Sequence, residues 1–292
     1  MSVMKVDVHK GKYVLAVSGG VDSVVLLDIL SNQKNLELIV THFDHGIREN
    51  SADDRKFVAS LAKKYKLSFE YDKGKLGAKA SEEVARKARY DFLKKILDKY
   101  NADAIITAHH QDDVLETMII NLLRGTGRKG LTSLKSSGHI VRPLLHTTKQ
   151  EIKDYAQANS LTWHEDPTNA DTGYLRNWIR HQLVPKLSSA QKEHLLGTHT
   201  RMEKINNELD DLLEGILASR NYLDTKLLVL LPHALAKETM AYWLRKNGIA
   251  DFDTKTLERL VVGAKTLAAG KLIEVKNGKK LQVSANKLTI VG

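Results

Sequence analysis

The sequence has 292 residues, 42% of them hydrophobic, which is typical of folded globular proteins, and its length predicts two domains with sizeable cores. The absence of cysteine excludes disulfides, thiolate metal sites, redox dithiols and cysteine nucleophiles. Lys and Arg total 45 against 35 Asp and Glu, and this net charge of +10 favours a polyanionic partner such as nucleic acid.

The first half of the chain alternates short β-branched runs with longer amphipathic stretches, the pattern of a parallel sheet with helices between its strands. The four predicted strands cover residues 13–17, 36–42, 68–71 and 104–107. The clearest helices are predicted at residues 81–100, which Ser81 can cap, and at residues 112–123. We therefore expect an α/β fold: an open parallel sheet with helices on both faces.

The α/β alternation stops near Leu187, where we place a domain boundary. A long helical pattern follows, and residues 271–291 then alternate like strands around Asn277-Gly278, a hairpin turn signal. We expect a first domain of residues 1–187. A smaller mixed α+β domain of residues 188–292 should begin with helices and end in a β-hairpin.

The sequence shows no signal for export or membrane insertion. Residues 1–20 lack the apolar core of a signal peptide, and nowhere do about 18 apolar residues follow one another. We therefore expect a cytoplasmic protein without a membrane partner.

A basic segment, residues 117–150, contains no acidic residue. Its six positive charges are Arg124, Arg128, Lys129, Lys135, Arg142 and Lys149. Two interpretations are open for this segment: a solvated basic surface, or a phosphate-facing region beside an active site.

A glycine loop joins the first predicted strand to the next helix. It consists of Ser18, Gly19, Gly20, Val21, Asp22 and Ser23. Adjacent glycines let the backbone turn tightly and bring N–H groups close to an anion, the following helix adds its positive end, and Ser18 and Ser23 add hydroxyl donors. Neither the Walker pattern nor GxGxxG fits, and no lysine follows the glycines, which disfavours kinases and dehydrogenases. The alternative is a purely structural turn.

The complete motif from Ser18 to Ser23 resembles the signature of the N-type ATP pyrophosphatases, the PP-loop family. The resemblance implies cleavage of ATP between the α and β phosphates, transfer of AMP to an acceptor oxygen, and a loop that binds pyrophosphate. Asp22 would then hold Mg²⁺ or orient the backbone of the loop, because a bare carboxylate would repel phosphates. The competing interpretation is that Asp22 caps the helix.

Polar residues also cluster where the fourth predicted strand ends and a helix begins. They are His109, His110, Asp112 and Asp113. Their spacing is not that of a zinc motif. A structural interpretation is that Asp113 and Glu116 form a capping box. A functional site is preferred because ligands bind at the carboxyl ends of strands in open parallel sheets.

Three pairs of arginines are candidates for contacts to phosphate or RNA. They are Arg86 with Arg89, Arg124 with Arg128, and Arg176 with Arg180. The first and third pairs lie on single helix faces, and Arg124 and Arg128 flank a loop with two glycines that can approach a ligand closely. Solvated arginines are the alternative in each case.

Further motifs extend the resemblance over residues 14–187 and narrow it to the tRNA(Ile)-lysidine synthetase family. They are residues 41–48, 81–90, 108–117, 142–145, 166–169 and 176–181. This resemblance implies that the wobble cytidine of a CAU-anticodon tRNA(Ile) is adenylated with ATP, and that free L-lysine then displaces AMP to give lysidine. It places Asp113 and Asp112 at the catalytic centre and Arg89 at the α-phosphate or the activated cytidine.

The remaining implied contacts are to substrate or tRNA. They involve His109, His110, Arg124, Arg128, Arg176 and Arg180. No motif matches after Leu187, so the chain resembles the shorter members, with a second domain that contacts tRNA. The rival functions are another PP-loop enzyme acting on a different tRNA base or a small metabolite, and a non-catalytic tRNA-binding protein. The oligomeric state stays open, with a homodimer as one candidate.

Overall fold

The computed structural model describes residues 4, 6–44, 46, 51–74, 82–165, 173–217, 221–250, 252–276 and 278–291. These residues form two compact units, Met1–Met202 and Glu203–Gly292, which are described separately. The division falls inside a long helix, Ser189–Leu217, that begins just after the predicted boundary at Leu187. That boundary stays a prediction. Within the described ranges, no helix is long and apolar enough to cross a membrane.

The first unit contains the predicted parallel sheet. Its strands are β1 Gly11–Ala16, β2 Leu36–Asp44, β3 Ser68–Lys73, β4 Ala104–Ile106 and β5 Ile140–Val141. They lie in the order β3-β2-β1-β4-β5, and every neighbouring pair is parallel. Strands β2 and β3 therefore lie on one side of β1, and β4 and β5 lie on the other side. This reversal between β1 and β4 opens a crevice at the carboxyl ends of those strands, where ligands bind in such sheets.

Helices cover both faces of this sheet, as predicted. The helices up to residue 217 are, in chain order, α1 Val21–Ser31, α2 Ser51–Lys64, α3 Glu82–Tyr100, α4 Gln111–Leu123, α5 Arg128–Leu131, α6 Lys149–Ala158, α7 Leu175–Trp178 and α8 Ser189–Leu217. Successive strand residues point to opposite faces. Leu15 and Val40 join the core formed with α1, α2 and α6, whereas Val14 and Ile39 pack against α3. The predicted cap Ser81 lies outside the described residues.

The segment after α7 packs against α4. It consists of a π-helical turn, Ile179–Leu183, and a 3-10 turn, Val184–Lys186. Ile179 and Val184 are buried in one cluster with Leu115 and Ile120 of α4. Burial of these apolar side chains fixes the chain from residue 175 to 186 beside the helix that follows β4.

The second unit combines helices with an antiparallel sheet. Its elements after α8 are β6 Leu223–Asp224, α9 Thr225–Leu230, α10 His233–Lys246, α11 Thr254–Thr266, β7 Leu272–Lys276, β8 Lys279–Ser284 and β9 Lys287–Val291. The predicted hairpin is β7–β8, although Asn277 itself is not among the described residues. The sheet continues beyond it in the order β6-β9-β8-β7 around a separate core that includes the fully buried Trp243.

Candidate active site

The glycine loop follows β1 and is held by hydrogen bonds to one of its own side chains. Ser23 Oγ accepts from the backbone N–H groups of Ser18 and Gly19, each at 3.2 Å, and donates to the Gly20 carbonyl at 2.9 Å. Gly19 has φ +97°, a conformation that L side chains rarely adopt. The Ser23 hydroxyl therefore shapes the loop, which corrects the expectation that its proton is directed at a bound anion.

The first turn of α1 is suited to an anion. Gly20 is the N-cap residue, and no side chain makes a capping hydrogen bond there. The first N–H groups of a helix have no intrahelical carbonyl partner, and the helix dipole concentrates positive charge at that end. The interpretation of Asp22 as a helix cap is wrong, because Gly20 is the N-cap residue, and Asp22 is the second residue of α1 with its carboxylate against Lys149 of a later helix.

Asp22 approaches two later segments of the chain, with an ion pair to Lys149 and a longer contact to His110. Its Oδ1 lies 2.5 Å from Lys149 Nζ, and its Oδ2 lies 3.8 Å from His110 Nε2. His110 follows β4, and Lys149 begins α6. The structure therefore brings the glycine loop and the polar cluster after β4 together, as expected from their positions at neighbouring strand ends.

His110 is the N-cap of α4 and forms a capping box with Asp113. The His110 N–H donates to Asp113 Oδ2 at 2.9 Å, and the N–H of the half-buried Asp112 donates to His110 Nδ1 at 3.3 Å. Because Nδ1 accepts this hydrogen bond, the N–H of the ring is on Nε2. That nitrogen lies 3.6 Å from Asp113 Oδ2, so the ring stands between Asp113 and Asp22.

This capping box corrects the interpretation of Asp113 as the first member of a box with Glu116. The box begins one turn earlier, because His110 already has the extended backbone and the acceptor nitrogen that an N-cap requires. Glu116 is left to make a different contact. Its side chain is fully buried and meets Arg180.

Arg180 links Glu116 and Asp113 through a forked contact. Its Nε donates to Glu116 Oε1 at 2.7 Å, and its Nη2 donates to Glu116 Oε2 at 2.8 Å and to Asp113 Oδ1 at 3.0 Å. Burial lowers the pKa of Arg180, but the two carboxylates reverse this effect and raise it above its ordinary value. Burial raises the pKa of Asp113, but the imidazoles, the His110 N–H and Arg180 lower it overall. Asp113 is therefore an anion at neutral pH.

His109 lies near three arginines of the site. Its Nδ1 is 2.8 Å from Thr107 Oγ1. Burial, reinforced by the positive charges of Arg142, Arg89 and Arg86, lowers its pKa to about 3. The ring is therefore neutral at physiological pH, and three cationic side chains lie close enough to influence it.

Tyr90 anchors this group of arginines. Its ring lies beneath the guanidinium groups of Arg86 and Arg89, with centroid distances of 5.0 and 5.5 Å. Arg142 Nη2 lies 3.5 Å from the Tyr90 hydroxyl, and Arg142 is buried. Arg89 is thus held against Tyr90, close enough to influence His109, and its contact with the α-phosphate or the activated cytidine stays a prediction.

Not all predicted contact residues come together at this site. Arg124 and Arg128 follow the far end of α4, which at 13 residues places them about 20 Å from His110 along the helix. Arg124 is exposed, Arg128 and Arg176 are half-buried, and Arg180 faces carboxylates. The proposed contacts of these arginines to tRNA stay predictions. Residues 45, 47, 48 and 166–169 of the predicted motifs fall outside the described part of the chain.

Three side chains of this site were not singled out as individual site residues: Glu116, Arg142 and Lys149. Glu116 carried a usable signal, because residues three apart share a helix face and Asp113 was already a candidate. Arg142 and Lys149 appeared in the sequence as members of a basic segment. Their positions depend on how β5 and α6 pack, which no local pattern reveals.

A known protein family matches the part of the chain that contains the glycine loop. The PP-loop domain, ATP_bind_3, matches residues 2–187. The chain belongs to this PP-loop family. The match includes the loop, the sheet and the polar cluster after β4, and it confirms the resemblance seen in the motif from Ser18 to Ser23.

Relatives of known name extend the match. A tRNA(Ile)-lysidine synthase from Thermotoga maritima is 39% identical over 188 residues, which covers 61% of this chain and 45% of that protein. A tRNA(Ile)-lysidine synthase from Legionella pneumophila is 31% identical over 269 residues, which covers 86% of this chain and 61% of that protein. The chain spans about half the length of the curated relatives it matches.

A comparison with solved structures supports the fold alone. The U34-tRNA thiolase NcsA from Methanococcus maripaludis, with its 4Fe-4S cluster, matches with a TM-score of 0.52 at 16% identity, over 67% of this chain and 74% of that one. The 292 residues of this chain include no cysteine that could hold such a cluster.

Proposed function

We propose that this protein ligates lysine to carbon 2 of the wobble cytidine of a CAU-anticodon tRNA(Ile), consuming ATP and releasing AMP and pyrophosphate. The observation that carries the proposal is the placement of Asp22 of the PP-loop against His110, which faces the Asp113–Arg180–Glu116 cluster. One crevice thus offers an anion site and an ionised carboxylate. The relatives named tRNA(Ile)-lysidine synthases support this substrate pair.

In the first step, the cytidine 2-oxygen attacks the α-phosphorus of ATP and pyrophosphate leaves. Negative charge then grows on the phosphate oxygens, and preorganised donors in a fixed site stabilise it. The first-turn amides of α1 are positioned for pyrophosphate. Arg89 would face the α-phosphate or the adenylated cytidine. Arg86 lies on the same helix and adds a second positive charge.

In the second step, the lysine ε-amine attacks carbon 2 and AMP leaves with the cytidine oxygen. The ammonium must first be bound and must then lose its proton. Asp113 is ionised at neutral pH and attracts the ammonium. Arg180 and the His110 N–H fix both of its oxygens in place, which keeps the attacking amine oriented.

Mg²⁺ is expected to accompany ATP in this reaction. Among the described residues, no group of three or more His, Asp or Glu side chains could hold a metal ion. Magnesium bound mainly through substrate phosphates needs only one or two carboxylates, and Asp22 beside the PP-loop fits that role. When bound, the ion would neutralise phosphate charge.

The proposal extends to partners beyond the crevice. Residues 188–292, with Arg124, Arg128 and Arg176, would contact the tRNA, and the protein would act in the cytoplasm without a membrane partner. A homodimer is the assembly to test by light scattering at several protein concentrations. A single monomer mass at all concentrations would contradict the homodimer.

ATP–pyrophosphate exchange tests the first step. We expect exchange with the CAU isoleucine tRNA, and none with elongator methionine tRNA or without RNA. Exchange supported by a small molecule in the absence of tRNA would retain the PP-loop chemistry and assign a different substrate. The absence of exchange under every condition would favour a non-catalytic tRNA-binding protein, although the intact loop argues against that outcome.

A further inference from the structure

Lys149 reaches the PP-loop from a distant part of the chain. Its Nζ lies 2.5 Å from Asp22 Oδ1, although the two residues are 127 positions apart. Both side chains are partly exposed, at 33% and 28%, so this ion pair is accessible from solvent. The sequence has no lysine after the loop glycines, and the fold supplies one from another helix.

The packing of α6 fixes where this ammonium lies. Ile152 and Ala156 are fully buried in the core that also contains α1, and the N–H of Gln111 donates to the Thr147 carbonyl at 3.0 Å. The start of α6 is therefore tied both to the PP-loop helix and to the start of α4. Lys149 is held at the mouth of the crevice.

The position of Lys149 within α6 is unfavourable unless an anion is close. It occupies the first turn, where the helix dipole repels cations and favours acidic residues. Thr148 and Glu151 already form the capping box of this helix, so Lys149 adds nothing to its start. Interaction with an anion across the crevice accounts for a lysine at this position.

We propose that Lys149 is the phosphate-binding cation of the PP-loop, and that it exchanges Asp22 for the pyrophosphate oxygens when ATP binds. The inference rests on the ATP step of the proposed function. Without nucleotide, Lys149 neutralises Asp22 and keeps the loop accessible to an anion. With nucleotide, its movement to the phosphates leaves Asp22 available to Mg²⁺.

A purely structural role of Lys149 would have a different consequence for pyrophosphate binding. If Lys149 acted only by neutralising Asp22, its removal would not matter once Asp22 was itself neutral. A double-mutant cycle of Asp22→Asn and Lys149→Met separates the two roles. The readout is the affinity for inorganic pyrophosphate, measured by titration calorimetry in EDTA, so neither metal nor turnover contributes.

We expect Lys149→Met to weaken pyrophosphate binding about 10- to 100-fold, the range for loss of one charge-assisted hydrogen bond, in both the wild-type and the Asp22→Asn background. Lys149→Arg should retain most of the affinity. Lys153→Met, an exposed lysine one turn further along α6, is the matched control and should bind like wild type. Circular dichroism melting checks that each variant is folded.

Equal pyrophosphate affinities of Asp22→Asn and Asp22→Asn/Lys149→Met would overturn the inference. The assay contains no tRNA or lysine, so an error in the assigned substrates would not affect it. Failure of wild-type protein to bind pyrophosphate would instead contradict the ATP step, and with it both proposals.

Discussion

At the scale of single residues, Arg180 joins parts of the first unit that are far apart in sequence. It is 64 positions from Glu116, and its fork satisfies both oxygens of that fully buried carboxylate. Breaking a buried ion pair by removing one partner leaves an uncompensated charge, which costs far more than the pair itself contributes. Arg180 should therefore matter for folding as well as for chemistry.

Replacing Arg180 with Met should lower the free energy of unfolding by about 3 kcal/mol, because Glu116 and Asp113 lose their common cation. Urea denaturation measures this loss. The double variant Arg180→Met/Glu116→Met should recover most of the stability but none of the lysine transfer. Recovery of both would show that the cluster is only structural.

The lowered pKa of His109 should make the free energy of unfolding depend on pH. Its pKa is about 3 in the folded protein against 6.5 ordinarily, so below pH 6.5 the unfolded chain takes up a proton that the folded protein does not. The free energy of unfolding should therefore fall as the pH drops from 6.5, by at most about 1.4 kcal/mol per pH unit from this group. Urea denaturation at pH values on both sides of 6.5 should show a shallower decline for His109→Gln. Identical slopes would place the ionisation elsewhere.

At the scale of helices and strands, much of the first unit could be predicted from hydrophobic periodicity. Strands β1 to β4 and helices α3 and α4 lie within a few residues of their predicted limits. Strand β5 has only two residues, Ile140–Val141, too few for any period to register. The residues of β9 lie in the predicted strand-like stretch, but the turn that separates β9 from β8 was missed because it contains Asn286, at φ 63°, and no glycine.

Three helices on one face of the sheet are joined at a carboxylate. Asp28 of α1 accepts hydrogen bonds from Tyr65, just after α2, at 2.6 Å and from Tyr155 of α6 at 2.8 Å. Burial and the bond to Asp28 raise the pKa of Tyr155 to about 12. This junction supports the position of α6, and hence of Lys149.

Tyr155→Phe should lower the free energy of unfolding by about 1 kcal/mol, because a partly buried hydrogen bond to a charged group is lost. Urea denaturation tests this value. Tyr174→Phe, which removes an exposed hydroxyl, is the control and should have no effect. An equal effect of both substitutions would show that Asp28 does not join these helices.

At the scale of the whole molecule, the site is assembled from segments that local patterns cannot bring together. The glycine loop and the polar cluster after β4 could be placed side by side, because both follow strands of one parallel sheet. The contacts of Asp22 with Lys149 and of Glu116 with Arg180 could not, because they depend on how α6 and the turn after α7 pack. Motifs therefore predicted which loops lie side by side, and the fold determined which cations reach the carboxylates of these loops.

The net charge of +10 and the basic segment of residues 117–150 agree with the proposed binding of a tRNA. The proposed reaction transfers lysine to the wobble cytidine of that tRNA. The most direct measurement is incorporation of labelled L-lysine in the presence of ATP and Mg²⁺, with the CAU isoleucine tRNA and with elongator methionine tRNA. We predict incorporation into the isoleucine tRNA alone, with one AMP released per lysine. If folded protein that binds pyrophosphate labels neither tRNA in the presence of ATP, this result contradicts the proposed transfer of lysine.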